Sequence, residues 1–169
     1  AQALETVKRE RLENPVSWDF ESPLTFEMDA TSPPCAWQIV NTGEASSGEL
    51  SMYYGDTESM TFACGHNAGT ATSPEISLIA GVAYTLLFDA NIDVESNTVY
   101  DTLDLYALVD GEEVLLWDKA AMITTDAWHT YAVDLSALAG RTFRLRFSFD
   151  THDDVANEST GLYIDDIQI

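Results

Sequence analysis

From residue 16 onward, apolar and polar positions alternate with a period of two, in short runs closed by turn residues. Residues 102–109 show the pattern clearly, because Leu103, Leu105 and Val109 alternate with polar neighbours such as Asp104. A two-residue period places alternate side chains on opposite faces of a β-strand. The same reasoning predicts strands within residues 16–20, 37–40, 50–54, 60–63, 73–78, 84–93, 102–109, 114–117, 128–135, 142–149 and 162–169.

The turn signals between these runs favour antiparallel neighbours. Asp110-Gly111 predicts a tight hairpin turn between the runs at 102–109 and 114–117. About ten strands with regular turns and no alternating helices predict an all-β fold, a two-sheet antiparallel β-sandwich. We expect jelly-roll topology, with one helical turn at 136–140.

Residues 1–14 differ from the rest of the chain. They are compatible with a helix and hold three of the seven basic residues, and Asn14-Pro15 would end that helix. We interpret 1–14 as a linker helix or a disordered lead-in from an upstream domain. The predicted sandwich domain is then 15–169, attached to other domains in a longer chain.

The charge is strongly negative. Twenty-nine acidic residues face seven basic ones, giving a formal net charge of −22. Such a surface repels nucleic acid and anionic membranes, and no apolar run approaches the ~20 residues that a membrane span needs. Three explanations remain open: a solvated acidic surface suited to saline or extracellular conditions, divalent cation sites, or a patch for a cationic partner.

Several short motifs occur in an order and spacing that resemble the MAM-like and cleaved-adhesin ("choice-of-anchor" type) jelly-roll modules of bacterial secreted proteins. They include Trp18-Asp19-Phe20-Glu21, Trp37, Ser47-Gly48, the runs at 73–78, 84–89 and 101–103, and the block from Trp128 to Ile167 that ends Gly161-Leu162-Tyr163-Ile164-Asp165-Asp166-Ile167.

The resemblance implies an extracellular, non-catalytic module that accompanies a peptidase or forms part of an adhesin. It also implies structural Ca²⁺ where the first and last strands meet. Asp19 and Glu21 match the opening acidic motif, and Asp165 and Asp166 match the closing pair. The alternation of Leu162, Ile164 and Asp166 further predicts a core-facing aspartate, which would need a cation or hydrogen bonds.

Two other acidic segments are weaker calcium candidates. One is the loop that carries Asp150, Asp153, Asp154 and Asn157, whose spacing does not match an EF-hand. The other holds Asp89, Asp93, Glu95, Asp101 and Asp104. The alternative for both is an ordinary solvated acidic loop.

Cys35 and Cys64 are the two cysteines, and both lie in polar, turn-rich contexts. In a domain with secreted character they predict one disulfide, with two unpaired thiols as the alternative.

Among the aromatic residues, Trp117, Tyr53 and Tyr54 are the candidates for exposed rings that stack on a sugar. Strand aromatics are more often core residues. His66, His129 and His152 follow no triad motif, and no hydrolase or phosphate-binding signature is present, so we expect no catalysis.

Three functions are therefore compared. The first is a calcium-stabilised adhesion or binding module with a cell-surface protein or glycan as ligand. The second is a carbohydrate-binding module that targets an attached hydrolase or peptidase. The third, an acid-dependent glycosidase, would require two carboxylates at catalytic separation in a cleft.

Overall fold

The computed structural model describes residues 14–169, so the predicted lead-in at 1–14 lies outside the described residues except for Asn14. The described chain contains twelve β-strands and two single-turn 3₁₀ helices, at Lys119–Ala121 and Ser136–Leu138. The strands are β1 Ser17–Trp18, β2 Glu27–Ala30, β3 Ala36–Val40, β4 Ser51–Gly55, β5 Ala68–Thr72, β6 Ile76–Ser77, β7 Thr85–Asp93, β8 Thr102–Val109, β9 Glu112–Trp117, β10 Trp128–Asp134, β11 Thr142–Asp150 and β12 Gly161–Gln168.

The strands form two six-stranded sheets. The first sheet has the order β10-β7-β12-β4-β3, with the short β1 paired to β12. The second sheet has the order β2-β5-β11-β8-β9, with β6 also paired to β11. All pairs are antiparallel, and neighbours in each sheet are mostly distant in sequence. The predicted two-sheet jelly-roll sandwich is confirmed.

The core lies between the two sheets, and β11 shows how the sequence produces it. Phe143, Leu145, Phe147 and Phe149 face inward and are buried, while the residues between them face outward. The Phe147 ring packs edge-on against Phe88 of the opposite sheet, with ring centroids 5.5 Å apart. Each fully buried side chain of this size contributes about 1.5–3 kcal/mol, so this alternation is a main source of stability.

A β-bulge interrupts the last strand. Asp165 pairs with Asp89 and Gln168 with Leu87, so three steps on β12 oppose two on β7. Asp166 lies within this bulge, and its φ is 48°. The prediction that Asp166 faces the core is therefore wrong: Ile164 and Ile167 face inward, and the buried aspartate is Asp165, on the outer face.

The sequence pattern missed two strands, β2 and β5, and placed one where none exists. β5 reads Ala-Gly-Thr-Ala-Thr, and small residues give little hydrophobic contrast. Gly69 is needed there because a Cβ atom would lie 2.7 Å from the Tyr54 ring. The predicted strand at 60–63 is instead a turn with a single bridge between Asp56 and Thr61.

The outer faces of the two sheets differ. Residues 41–50, between β3 and β4, fold back over the first sheet, where Asp165, Asp89 and Ser51 bind them. On the second sheet, the outward side chains of β8 and β11 remain partly exposed along both strands. The first sheet is covered along β12 and β4, whereas the second sheet is open along its central strands β8 and β11.

Candidate functional site

Two ion pairs cross the outer face of the second sheet. Arg146 Nη1 on β11 lies 2.6 Å from Glu113 Oε1 on β9, so the Arg146 side chain spans the intervening β8. In the opposite direction, Arg144 Nη1 lies 2.9 Å from Glu27 Oε1 on β2. Exposed pairs like these add only ~0–1 kcal/mol to stability. They do neutralise both arginines and hold them flat across the sheet.

Beside these pairs lies a strip of short polar side chains. Thr70 on β5, Ser148 on β11 and Asp104 on β8 are direct partners in register, so they form one row across three strands. Tyr106 occupies the next outward position on β8, opposite Arg146, and its hydroxyl donates to Asp104 Oδ2 at 3.4 Å. We name Thr70, Asp104, Tyr106, Ser148 and Asp150 the polar shelf.

Two histidines border the shelf at the end of β11. Asp150 Oδ1 accepts hydrogen bonds from His66 Nε2 at 3.0 Å and from the backbone N–H of His152 at 2.8 Å. His152 Nε2 in turn forms a 2.8 Å hydrogen bond with Thr102 Oγ1 on β8. These contacts fix the loop after β11 at the rim of the shelf.

The same contacts show what the acidic loop at 150–157 does in this structure. Asp150 binds the histidines, and Asp153 Oδ1 accepts the backbone N–H of Val155 at 3.0 Å. Asn157 is buried and donates to the Gly65 carbonyl at 3.1 Å, whereas Asp154 is exposed. The four predicted ligands are therefore spread through the loop rather than wrapped around one point.

The first and last strands do bring their acids to a common segment. Glu21 Oε1 accepts the backbone N–H groups of Glu49 and Leu50, at 2.8 and 2.6 Å. Asp165 Oδ2 accepts those of Ser46 and Ser47, at 2.9 and 3.2 Å. The two carboxylates hold opposite ends of residues 46–50.

The other two predicted ligands have local partners. Asp19 Oδ1 accepts the backbone N–H of Glu21, and Asp166 Oδ1 accepts the Ser47 hydroxyl at 2.7 Å. Across residues 14–169, no three carboxylate, imidazole or thiol groups come together as metal ligands would. In this structure the four carboxylates are bound by protein N–H and O–H groups, and the calcium hypothesis stays a prediction.

The third acidic cluster is divided between opposite sides of the molecule. Asp89 and Asp93 lie on the first sheet, where Asp89 binds the hydroxyls of Ser46 and Thr130. Asp104 lies on the polar shelf of the second sheet. Asp101 is fully buried, and burial raises its pKa to about 6. Burial likewise raises the pKa of Asp165 to about 6.

The prediction that Trp117, Tyr53 and Tyr54 are exposed is wrong, since their exposed fractions are 8%, 0% and 0%. Trp117 packs edge-on against Phe88, and the Tyr54 hydroxyl donates to Asn67 Oδ1 at 2.7 Å. Trp117 and Tyr54 thus belong to the core between the sheets. Tyr53 faces outward on the first sheet, where its hydroxyl donates to the Thr160 carbonyl.

Sequence reasoning missed Tyr106 and the arginine pair as candidate site residues. The alternation in β8 did place Tyr106 on the polar side, which was the available signal. It could not show that Arg146, forty positions later, would be its cross-strand partner. That register depends on long-range pairing, which a local pattern does not contain.

The disulfide is confirmed: Cys35 and Cys64 are bonded, with Cα atoms 6.1 Å apart. Cys35 lies at the start of the segment that enters β3, and Cys64 lies in the turn before β5. The disulfide therefore links the start of β3, an edge strand of the first sheet, to the segment that leads into β5 of the second sheet.

Several solved structures share this fold. The chain is similar to TmCBM61 in complex with β-1,4-galactotriose, with a TM-score of 0.62, 14% identity, and coverage of 92% of this chain and 97% of that one. It is also similar to the K3 cleaved adhesin domain of Lys-gingipain from Porphyromonas gingivalis, with a TM-score of 0.56, 14% identity, and coverage of 92% and 98%. A xylan-binding domain from CBM 22 matches with a TM-score of 0.51, 15% identity, and coverage of 93% and 94%.

At these identities the similarity establishes the fold alone, a β-sandwich that carbohydrate-binding modules and cleaved adhesin domains also have. The resemblance to MAM domains stays a prediction. No protein-family model matches the chain, and no curated protein matches it. No helix in residues 14–169 has the length and apolar character of a membrane span.

Proposed function

We propose that this chain is a non-catalytic, extracellular module of a larger secreted or surface protein, and that it binds a glycan on the polar shelf. The observation that carries the proposal is the position of Tyr106. Its ring lies half-buried on an open sheet face, between a row of short polar side chains and the Arg146–Glu113 pair.

The chemistry of the shelf suits a polyhydroxylated ligand. Sugar hydroxyls both donate and accept hydrogen bonds, and the shelf supplies donors and acceptors within one surface: the hydroxyls of Thr70 and Ser148, and the carboxylates of Asp104 and Asp150. The Tyr106 ring adds an apolar face with a polar tip. Short side chains in the central row leave room for a ring to approach the sheet.

The dimensions suit an oligosaccharide rather than a single sugar. From the level of Tyr106 and Arg146 to Asp150, β11 advances about 13 Å, and the three strands that carry the polar shelf span about 10 Å. Two glycan-associated modules with the same fold, one in complex with β-1,4-galactotriose and one described as xylan-binding, support a β-linked ligand.

Titration calorimetry with β-1,4-galactotriose, xylohexaose and a wider glycan array tests the proposal. We expect Tyr106→Ala to weaken binding about tenfold, or ~1.4 kcal/mol. Trp128→Ala is the matched control, because Trp128 is a half-buried aromatic on the first sheet. Loss of binding in the Trp128 variant alone would move the site to the first sheet.

Adhesion to a protein is the second candidate, and strand β9 favours it. β9 is the edge of the second sheet, and its Val114 and Leu115 are about half exposed, at 45% and 51%. If the unsubstituted chain bound no glycan on a broad array, the glycan proposal would be overturned. A protein partner at this edge would then be the better hypothesis.

A further inference from the structure

Tyr100 is the most exposed of the phenylalanine, tyrosine and tryptophan residues in the described part of the chain. Its exposed fraction is 38%, whereas the others of these three types in 14–169 are buried or half-buried. It lies in the loop between β7 and β8, immediately before the second sheet begins its path along β8.

The backbone of Tyr100 is held from both sides. Its N–H donates to Asn97 Oδ1 at 2.9 Å, and its carbonyl accepts a hydrogen bond from Lys119 Nζ. The following residue, Asp101, has φ of 50°, which turns the chain sharply into β8. A ring on a backbone fixed in this way loses less entropy on binding a ligand than one on a free loop.

The burial of Lys119, the lysine bonded to the Tyr100 carbonyl, costs free energy. Lys119 is 6% exposed, and burying an ammonium group is expensive unless it is well bonded. Its partners are the carbonyls of Tyr100 and Asp101, the latter at 3.0 Å. Every hydrogen bond of this ammonium that the structure shows thus goes to the backbone of the loop that presents Tyr100.

This loop adjoins the rim of the polar shelf. The backbone N–H of Asp101 donates to the Thr151 carbonyl at 3.2 Å, which joins the Tyr100 loop to the loop after β11. Thr102, two residues beyond Tyr100, is hydrogen-bonded to His152 at the shelf border. Tyr100 therefore lies at the end of the second sheet where the shelf meets its two loops.

We propose that Tyr100 is a stacking residue for the distal part of the glycan and that Lys119 is its positioning residue. This inference rests on the proposed function. A short oligosaccharide would occupy the shelf around Tyr106 without reaching Tyr100. A longer oligosaccharide would extend past His66 and His152 at the border of the shelf and place one of its sugar rings against Tyr100.

The experiment compares ligands of two lengths, β-1,4-galactotriose with its six-sugar homologue or xylotriose with xylohexaose, in calorimetry. We expect Tyr100→Ala to raise the Kd of the six-sugar ligand about tenfold and that of the three-sugar ligand less than about twofold. Tyr100→Phe should retain long-chain affinity, and Val99→Ala, which removes an exposed neighbour without a ring, should change neither value.

The same pair of ligands tests Lys119. Lys119→Met should lower the long-chain preference as Tyr100→Ala does, measured well below the melting temperature of the variant so that the fold is intact. Equal weakening of both ligands, or no change in either, would overturn the inference while Tyr106→Ala still reports on the shelf. Absence of binding by the unsubstituted chain would overturn the proposed function and this inference together.

Discussion

Asp165 Oδ2 accepts the backbone N–H of Ser46 at 2.9 Å, joining two residues 119 positions apart in the chain. Asp165 is on the outer face of the last strand, and Ser46 is in the segment that covers that face. A second bond, from the Ser46 hydroxyl to Asp89, ties the same serine to β7. One buried carboxylate on β12 thus anchors the segment that folds over this part of the first sheet.

Removing this anchor should release the covering segment. We expect Asp165→Ala to lower the free energy of unfolding by about 1–3 kcal/mol, because it leaves the N–H groups of Ser46 and Ser47 without their partner. Asp166→Asn is the control, since the Asp166 carboxylate accepts one exposed hydroxyl bond and asparagine tolerates the positive φ of this position. Urea unfolding measures both variants, and equal losses would contradict an anchoring role for Asp165.

The pH dependence of stability should follow the two buried aspartates. Burial raises the pKa of Asp101 and of Asp165 to about 6, above the usual aspartate value of 3.8 that the unfolded chain retains. The folded state therefore binds these protons more readily than the unfolded state. Stability should rise as pH falls through 6 towards 4, so the protein should melt at a higher temperature at pH 5 than at pH 7.5.

General repulsion among the acids would give the same sign, and the two causes can be separated. The double variant Asp101→Asn with Asp165→Asn should flatten the pH dependence if the buried groups cause it. If the double variant retains the slope and NaCl removes it, surface repulsion is the cause instead, because salt screens exposed charges far more than buried ones.

The sequence predicted the sandwich well because its signal is local. In β8 and β11, every second residue is apolar over eight or nine positions, and both strands have the predicted facing. The alternation did not predict β5, because Gly69 and its small neighbours show no difference in hydrophobicity between the two faces of the strand. The bulge at Asp166 was also invisible, since one extra residue reverses the facing of all that follow and only pairing with β7 reveals it.

The candidate site was much less predictable. The acids at the first and last strands were expected to meet, and Glu21 and Asp165 do bind the same segment. Their partners are backbone N–H groups, whose positions depend on how residues 46–50 fold. The exposure of aromatic residues was predicted least well: Tyr53 faces outward as the alternation indicates, yet it is buried against Tyr163, with its hydroxyl bonded to the Thr160 carbonyl.

The disulfide should stabilise the fold by restricting the unfolded chain, by an amount that rises with the logarithm of the length of the loop it closes. Cys35 and Cys64 are 29 residues apart, and on the chain-entropy model a loop of that size stabilises by about 3 to 4 kcal/mol. We expect the double variant Cys35→Ala with Cys64→Ala to lose about that much in urea unfolding. A reductant should lower the stability of the native protein by a similar amount and should not change that of the double variant. A loss of stability in both proteins would point to another cause.

The calcium hypothesis makes a prediction that a melting experiment decides. If Ca²⁺ binds the folded state at Asp19, Glu21, Asp165 and Asp166, chelated protein should melt higher in 2 mM CaCl₂ than in MgCl₂. A hundredfold excess over Kd adds about 2.7 kcal/mol to the free energy of unfolding.

Because Glu21 and Asp165 accept backbone N–H groups in this structure, calcium could bind only if these carboxylates exchanged those partners for the cation. Glu21→Gln should then abolish the calcium effect, while Asp154→Asn, in the exposed loop, should preserve it. Equal melting temperatures in Ca²⁺ and Mg²⁺ would mean that backbone hydrogen bonding accounts for these acids without a metal.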